Sequence, residues 1–295
     1  MIFNLDQLTP ARTQYYLQHV VAPRPICFAS TIDTEGLANL SPFSFFNMFS
    51  SAPPVVIFSP ARRVRDNTTK HTLQNVLEVP EVVINIVTYD MVQQASLASC
   101  EYPKGVDEFT KAGFTKEPAS MVKPFLVKEA KVKLECRVME VKSLGESGGA
   151  GQLVICEVLC MHIADELLDA DLNIDQQSLE LVARLGGDWY CKTTAESLFK
   201  VAKPNTSLGI GMDALPQGIR QSTVLTGNHL GQLANVHELP VVDASFEDEH
   251  LKNIVQYFSI NPADMEKELH QYARRLLDEN KVAEAWQVLL SAEPF

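Results

Sequence analysis

Between Val21 and Asn47, small hydroxyl residues alternate with phenylalanines in an apolar setting. Arg24 precedes Ser30 and Thr31. Ser44, Phe45 and Asn47 follow, with Phe43, Phe46 and Phe49 among them. Further on, Lys70, His71 and Thr72 open a segment that reads as a helix start. Apolar rings wall a slot for a flat aromatic ligand, and Ser44 and Asn47 offer hydrogen bonds to its polar edge. A helix start can hold an anion through its unpaired amides and dipole; Lys70 adds charge and Thr72 a hydroxyl. Each feature has an ordinary alternative: core packing for the phenylalanines, a backbone partner in a turn for the buried hydroxyls, and a solvated lysine on a capped helix for Lys70.

These residues need a scaffold, and the sequence reads as mainly β. Asp6 to Leu17 suggests an opening helix, and Ile26 to Ile32 a strand of β-branched, aromatic and small residues. The turn at Asp33 to Gly36 leads into a returning segment at Ala38 to Leu40. Side chains alternate along a strand, so Ser30 and Thr31 fall on opposite faces and one of them can point at a ligand. Val55 to Ser59 and Val82 to Val87 are strand-like, and a helix over Lys70 to Leu77 lies between them, stopped by Pro80. Tyr89 to Cys100 and Asp107 to Ala112 read helical. Val132 to Val141 and Gln152 to Ile163 form a long hairpin across a Gly-rich turn, and Leu181 to Leu185 precedes Gly186-Gly187. Short strands at close spacing with helices between them indicate a β-barrel with helical insertions. The reading gives a barrel domain over 1–200, an extended arm rich in Gly, Pro, Asn and Thr over 201–245, and a helical appendage over 246–295. There Asn261-Pro262 starts a helix, and Leu269, Tyr272, Ala273, Leu276 and Leu277 fall at helical spacing.

Composition narrows the function. The 295 residues suit one large domain or a domain with an appendage, and 46% hydrophobic content suits a buried core. A net charge of -12 argues against a nucleic-acid partner and against anionic lipid. The local run Arg62-Arg63-Val64-Arg65 still suits a small phosphorylated ligand. None of the six cysteines forms a C-x-x-C pair, so they read as buried thiols of a reducing compartment. With neither a signal-peptide pattern nor a membrane-length apolar run, the expectation is cytoplasmic. The seven histidines show no metal-ligand spacing, so no metal site is expected; His162 and His229 read as ordinary polar contacts.

Flavin mononucleotide (FMN) asks for an apolar slot, polar groups along the pyrimidine edge, and a phosphate cradle. Beyond that match, Pro23-Arg24-Pro25, Ser30-Thr31, Asp33, Gly36, Asn39, Pro42, Ser44 and Phe46, then Lys70, Thr72 and Asn75, then Val83-Ile84-Asn85-Ile86 form a recognisable series. Asp107-Glu108-Phe109, Ala112-Gly113-Phe114 and Gly186-Gly187 with Tyr190 continue it. Over roughly residues 15–195 the chain resembles the flavin reductase-like family, which includes flavoredoxin and the reductase components of two-component monooxygenases. The resemblance implies an FMN-binding split β-barrel, here with a C-terminal helical extension. It implies that Arg24, Ser30, Thr31, Ser44, Phe45, Asn47, Lys70, His71, Thr72 and Tyr190 bind the cofactor. His71 stands where the family carries Asp; a His could touch the phosphate, whereas an Asp could only arrange its neighbours.

The resemblance further implies a homodimer with each flavin near the subunit interface, hydride transfer from NADH or NADPH, and a monooxygenase or other acceptor as partner. The flavin carries the chemistry, so no catalytic residue is assigned. No Gly-x-Gly-x-x-Gly accompanies a βαβ unit, so the nicotinamide would stack on the flavin in a surface cleft. The alternatives are a non-catalytic FMN-binding electron carrier or sensor, and a structural barrel without ligand.

Overall fold

In the computed structural model, which describes residues 1–204 and 208–291, the chain divides into two compact units, Met1–Leu198 and Phe199–Phe295. The first helix, α1 (Pro10–Val20), starts later than its sequence pattern suggests. Thr9 caps it by accepting from the Arg12 amide, and Pro10 occupies the first turn, where its missing N–H costs nothing. Four strands follow: β1 (Cys27–Ile32), β2 (Ala38–Phe43), β3 (Phe46–Ser51) and β4 (Pro54–Phe58). Next come α2 (His71–Glu78), β5 (Glu81–Ile86), α3 (Val92–Leu97) and α4 (Glu108–Ala112). Two short pairs, β6 (Lys116–Glu117) with β7 (Leu126–Val127) and β10 (Val182–Arg184) with β11 (Tyr190–Lys192), flank the long hairpin of β8 (Val132–Ser143) and β9 (Gln152–Ile163).

Seven strands form one antiparallel sheet in the order β2-β1-β5-β8-β9-β4-β3. The two edge strands are consecutive in sequence and joined only by Ser44 and Phe45. Three Cα steps span at most about 11 Å, whereas seven strands laid flat would separate the edges by roughly 28 Å. The sheet therefore curls until its edges nearly meet. The result is a split barrel whose seam lies at Ser44-Phe45. Pro42 sits within β2, which is tolerated because β2 is an edge strand.

One face of the sheet gathers Cys27, Ala29, Phe58, Ile84, Cys136 and Cys156 against Leu73 and Val76 of α2. Another cluster packs Phe28 and Leu40 beneath Ala95, Phe109 and Phe114, around α3 and α4. Asp107 caps α4, and Gly113 ends it with φ of 73°, a conformation suited to glycine.

The second unit contains α5 (Gln217–Arg220), α6 (Gly227–Ala234), α7 (Glu249–Tyr257), α8 (Pro262–Asp278) and α9 (Val282–Leu290). Residues 201–245, expected as an extended arm, instead carry α5 and α6 and send Leu215, Ile219, Leu225 and Leu233 into one core with Leu269, Leu277 and Trp286. The Thr, Gly and Asn that gave the segment its arm-like texture are helix-starting residues: Thr226 caps α6 in a reciprocal box with His229. Residues 205–207 of that segment and 292–295 of the appendage lie outside the described residues. No helix is long and apolar enough to cross a membrane among the described residues.

Candidate functional site

A cleft of about 940 Å³ opens at the seam of the barrel, within the usual size range for small-molecule sites. Leu17 of α1 and Val21 just past its end, with Pro42, Phe43 and Phe45, supply apolar wall. Arg24, Arg62, Arg63, Arg65 and Lys70 also line it, against a single carboxylate, Glu101. A second cleft of about 420 Å³ shares Arg24, Phe43, Ser44 and Lys70 with the first and extends to Ser96, Arg184 and Tyr190.

The cations are held in different ways. Arg24 is buried and spends its donors on the molecule itself: the carbonyls of Gln18 and Val21 at 2.6 Å, that of Leu185 at 2.9 Å, and the Ser44 hydroxyl at 3.5 Å. It fastens the C-terminal end of α1, where a cation is favoured by the helix dipole. Burial, and then the charge of Arg184, lower its pKa. Arg63 and Arg65 both reach Glu101, at 2.8 and 2.6 Å. Arg62 bonds the side chain and carbonyl of Asn67 instead. Lys70, half-buried at the start of α2, has no ion-pair partner among the described residues. Burial and then Arg63 lower its pKa.

The loop that carries these arginines is braced by the β8–β9 turn. The Arg62 amide donates to the Ala150 carbonyl and the Gly149 amide to the Arg62 carbonyl, both at 2.9 Å. A Cβ at Gly148 would lie 3.0 Å from the carbonyl oxygens of Arg63 and Val64. Only glycine allows this approach without displacing the loop.

Of the residues singled out in the sequence, Arg24, Ser44, Phe45 and Lys70 meet at the main cleft, and Tyr190 joins the second. Ser30, Thr31 and Thr72 do not line either cleft. Ser30 and Thr31 do take opposite faces: Ser30 is fully buried with its hydroxyl unpartnered, while Thr31 accepts from Asn75 at 3.1 Å. The Thr72 hydroxyl donates to Asn39 at 2.7 Å; Asn39 in turn donates to Glu108 at 3.0 Å. Glu108 also accepts from the Leu40 amide at 3.1 Å. These residues form buried connections that seat α2 on the sheet. His71 lines a small crevice with Asp33, Asn39 and Lys104; burial, then Arg63 and other cations, lower its pKa. Asn47 lies exposed on β3, its side chain accepting from the Met48 amide at 2.8 Å. The stretch from Asn39 to Asn47 comprises most of β2, the seam and the start of β3.

Sequence reasoning marked the 62–65 arginines as suited to a phosphorylated ligand but left out the α1 wall, Glu101, Arg184 and the Gly148-Gly149 brace. The arginine run and the glycine turn were the available signals; α1 gave none.

The pattern of the flavin reductase like domain matches residues 20–180, more than half of the chain. The chain belongs to that family. The membership places it among flavin-related oxidoreductases. An uncharacterized protein of Aquifex aeolicus is 37% identical over 182 residues, covering 62% of this chain and 90% of its own. The structure of nitrilotriacetate monooxygenase component B from Bacillus cereus superposes with a TM-score of 0.64 at 27% identity, covering 68% of this chain and 98% of that one. Pseudomonas fluorescens 2-nitrobenzoate 2-nitroreductase shares the fold, with a TM-score of 0.63 at 24% identity over 72% of this chain and all of that one.

Proposed function

We propose that the protein binds FMN in the seam cleft and works as an oxidoreductase, taking hydride from NADH or NADPH and supplying reduced flavin or electrons to an acceptor. The observation that carries this reading is the joining, in one cleft, of an aromatic and aliphatic wall with five cations facing one carboxylate. Such a donor set fits a flat ring with an anionic tail. Lys70 and the 62–65 arginines would hold the phosphate, while Phe43, Phe45 and Leu17 would cover the ring. Ser44, fixed by Arg24, would meet the polar edge. The adjoining cleft with Arg184 and Tyr190 would receive the nicotinamide. When bound, FMN supplies the hydride-accepting chemistry, and the chain supplies orientation and charge.

By analogy with the Bacillus cereus component B, a monooxygenase is the proposed acceptor. The exposed Met48 and Phe49 on β3, with Phe45 at the seam, support a homodimeric assembly. The six free thiols support a reducing, cytoplasmic setting. The test is the visible spectrum of FMN-loaded protein before and after NADH or NADPH. Bleaching without air and continuous nicotinamide oxidation under air are expected. A yellow protein that neither donor bleaches would leave a carrier or sensor, and a protein that takes up no FMN would overturn the reading altogether.

A further inference from the structure

On the β8–β9 hairpin, away from both clefts, Glu135, Cys160 and His162 bring a carboxylate oxygen, a sulfur and a ring nitrogen within 4.8 Å of one another. Glu135 and Cys160 are cross-strand partners, and His162 is two residues beyond Cys160 on the same strand. Three ligand types therefore project from two hydrogen-bonded strands, a rigid platform for a site.

The carboxylate of Glu135 is fully covered. Its Oε2 accepts from the Met121 and Val122 amides at 2.5 and 3.2 Å, and its Oε1 from the Ser120 amide at 2.9 Å. Two oxygens offer about four acceptor positions, so one remains, on Oε1, facing His162 Nε2 at 2.6 Å. An ion pair would account for Glu135 and His162. It leaves unexplained the Cys160 sulfur, 3.8 Å from the same ring nitrogen.

We propose that Glu135, Cys160 and His162 bind one thiophilic divalent cation of the zinc class, with solvent in the fourth position. Zinc bonds of about 2.3 Å to sulfur and 2.0–2.1 Å to nitrogen, at a tetrahedral angle, separate those two atoms by roughly 3.6 Å, near the 3.8 Å present. The nitrogen and the Glu135 oxygen must part to roughly 3.4 Å by the same geometry, a small rotation for the part-exposed His162. Lys133, the cross-strand neighbour of His162, does not occupy the site; its ammonium is bonded to Glu117 at 3.2 Å. Binding replaces the Cys160 S–H and His162 Nε2–H bonds with metal–sulfur and metal–nitrogen bonds; the thiol proton goes to solvent, and the ring proton moves to Nδ1 or, where Nδ1 already holds one, to solvent, so affinity rises with pH. Spacing along one strand hides the site, because the third ligand comes from the neighbouring strand.

The test is titration of the full-length, metal-free protein with cobalt(II), followed by zinc(II) competition. The expected result is one cobalt per chain, with a thiolate-to-cobalt charge-transfer band and strong tetrahedral d–d bands that zinc abolishes. Cys160→Ser should remove the charge-transfer band, and His162→Ala should weaken zinc binding by at least roughly 10–100-fold, the range for loss of even an outer-shell partner. Cys100→Ser, at the exposed free thiol, should change neither. Both variants alter part-exposed positions, so folding can be verified by circular dichroism; Glu135→Gln is avoided because it would also loosen the Ser120–Val122 loop. Absence of a charge-transfer band in the wild type, or its persistence in Cys160→Ser, would overturn the proposal.

Discussion

Lys70 is the side chain on which the proposed anion site leans most, because the other cations already have partners. Lys70→Ala should weaken FMN retention by about 1.5–3 kcal/mol, roughly 10- to 150-fold, with little change in melting temperature. Ser44→Ala should act in the same direction. Thr31→Val should do the reverse: Asn75 loses its buried acceptor, and the fold loses about 1–3 kcal/mol while FMN affinity stays near wild type. Flavin fluorescence titration and thermal unfolding on the three variants separate the roles; equal affinity loss in all three would refute the assignment of Thr31 to the scaffold. The sequence shows which residues are polar among phenylalanines, but not which way each polar group turns. Thr31 and Ser44 are both hydroxyls in an apolar setting, yet one faces α2 and the other the cleft, because only one lies at the seam. Thiol chemistry follows from burial too. Burial pushes Cys136 up to about 12 and raises Cys27 and Cys156 well above their ordinary value of 9.0. The folded state therefore keeps these protons while the unfolded state gives them up, so stability declines as pH rises above about 9. Denaturant midpoints from pH 8 to pH 10 should fall, and native alkylation should reach Cys100 well before these three.

At the scale of elements, the strands and α8 are legible because their apolar periodicity is strong, whereas β3 is hidden inside an aromatic stretch and α6 inside a Gly- and Asn-rich one. Caps explain the second miss: residues that break a helix internally are those that start one. The same local chemistry makes the helical unit sensitive to acid. His270 on α8 is buried and hydrogen-bonded to Ser222 at 2.8 Å, and burial lowers its pKa below 6.5. Below that value the unfolded chain takes up a proton that the folded one refuses, so stability falls as pH drops through 6.5. Chemical denaturation of the wild type should show this slope from pH 7 to pH 5. A flat profile would rule out the buried neutral imidazole, while His270→Gln should flatten it if His270 is its source. In the barrel, Gly148→Ala should push the hairpin away from Arg63 and Val64. The expected result is weaker FMN binding with the strands intact by far-ultraviolet circular dichroism.

For the whole molecule, the two-residue link between the sheet's edge strands forces closure, and closure places the seam, α1 and the arginine loop around one cleft. That arrangement is built within the first unit, Met1–Leu198. Among the described residues, those lining both clefts belong to Met1–Leu198, and that unit has its own apolar clusters around α2 and beneath α3 and α4. The Aquifex relative is matched over 90% of its length by 62% of this chain. A fragment ending at Leu198 should therefore fold cooperatively. It should bind FMN within about threefold of the full chain, a difference under about 0.7 kcal/mol. Circular dichroism melting and flavin titration of the fragment beside the full chain provide the comparison. A well-folded fragment with affinity reduced tenfold or more would mean that residues beyond Leu198 contribute to the cofactor site, and the seam cleft alone would no longer account for binding.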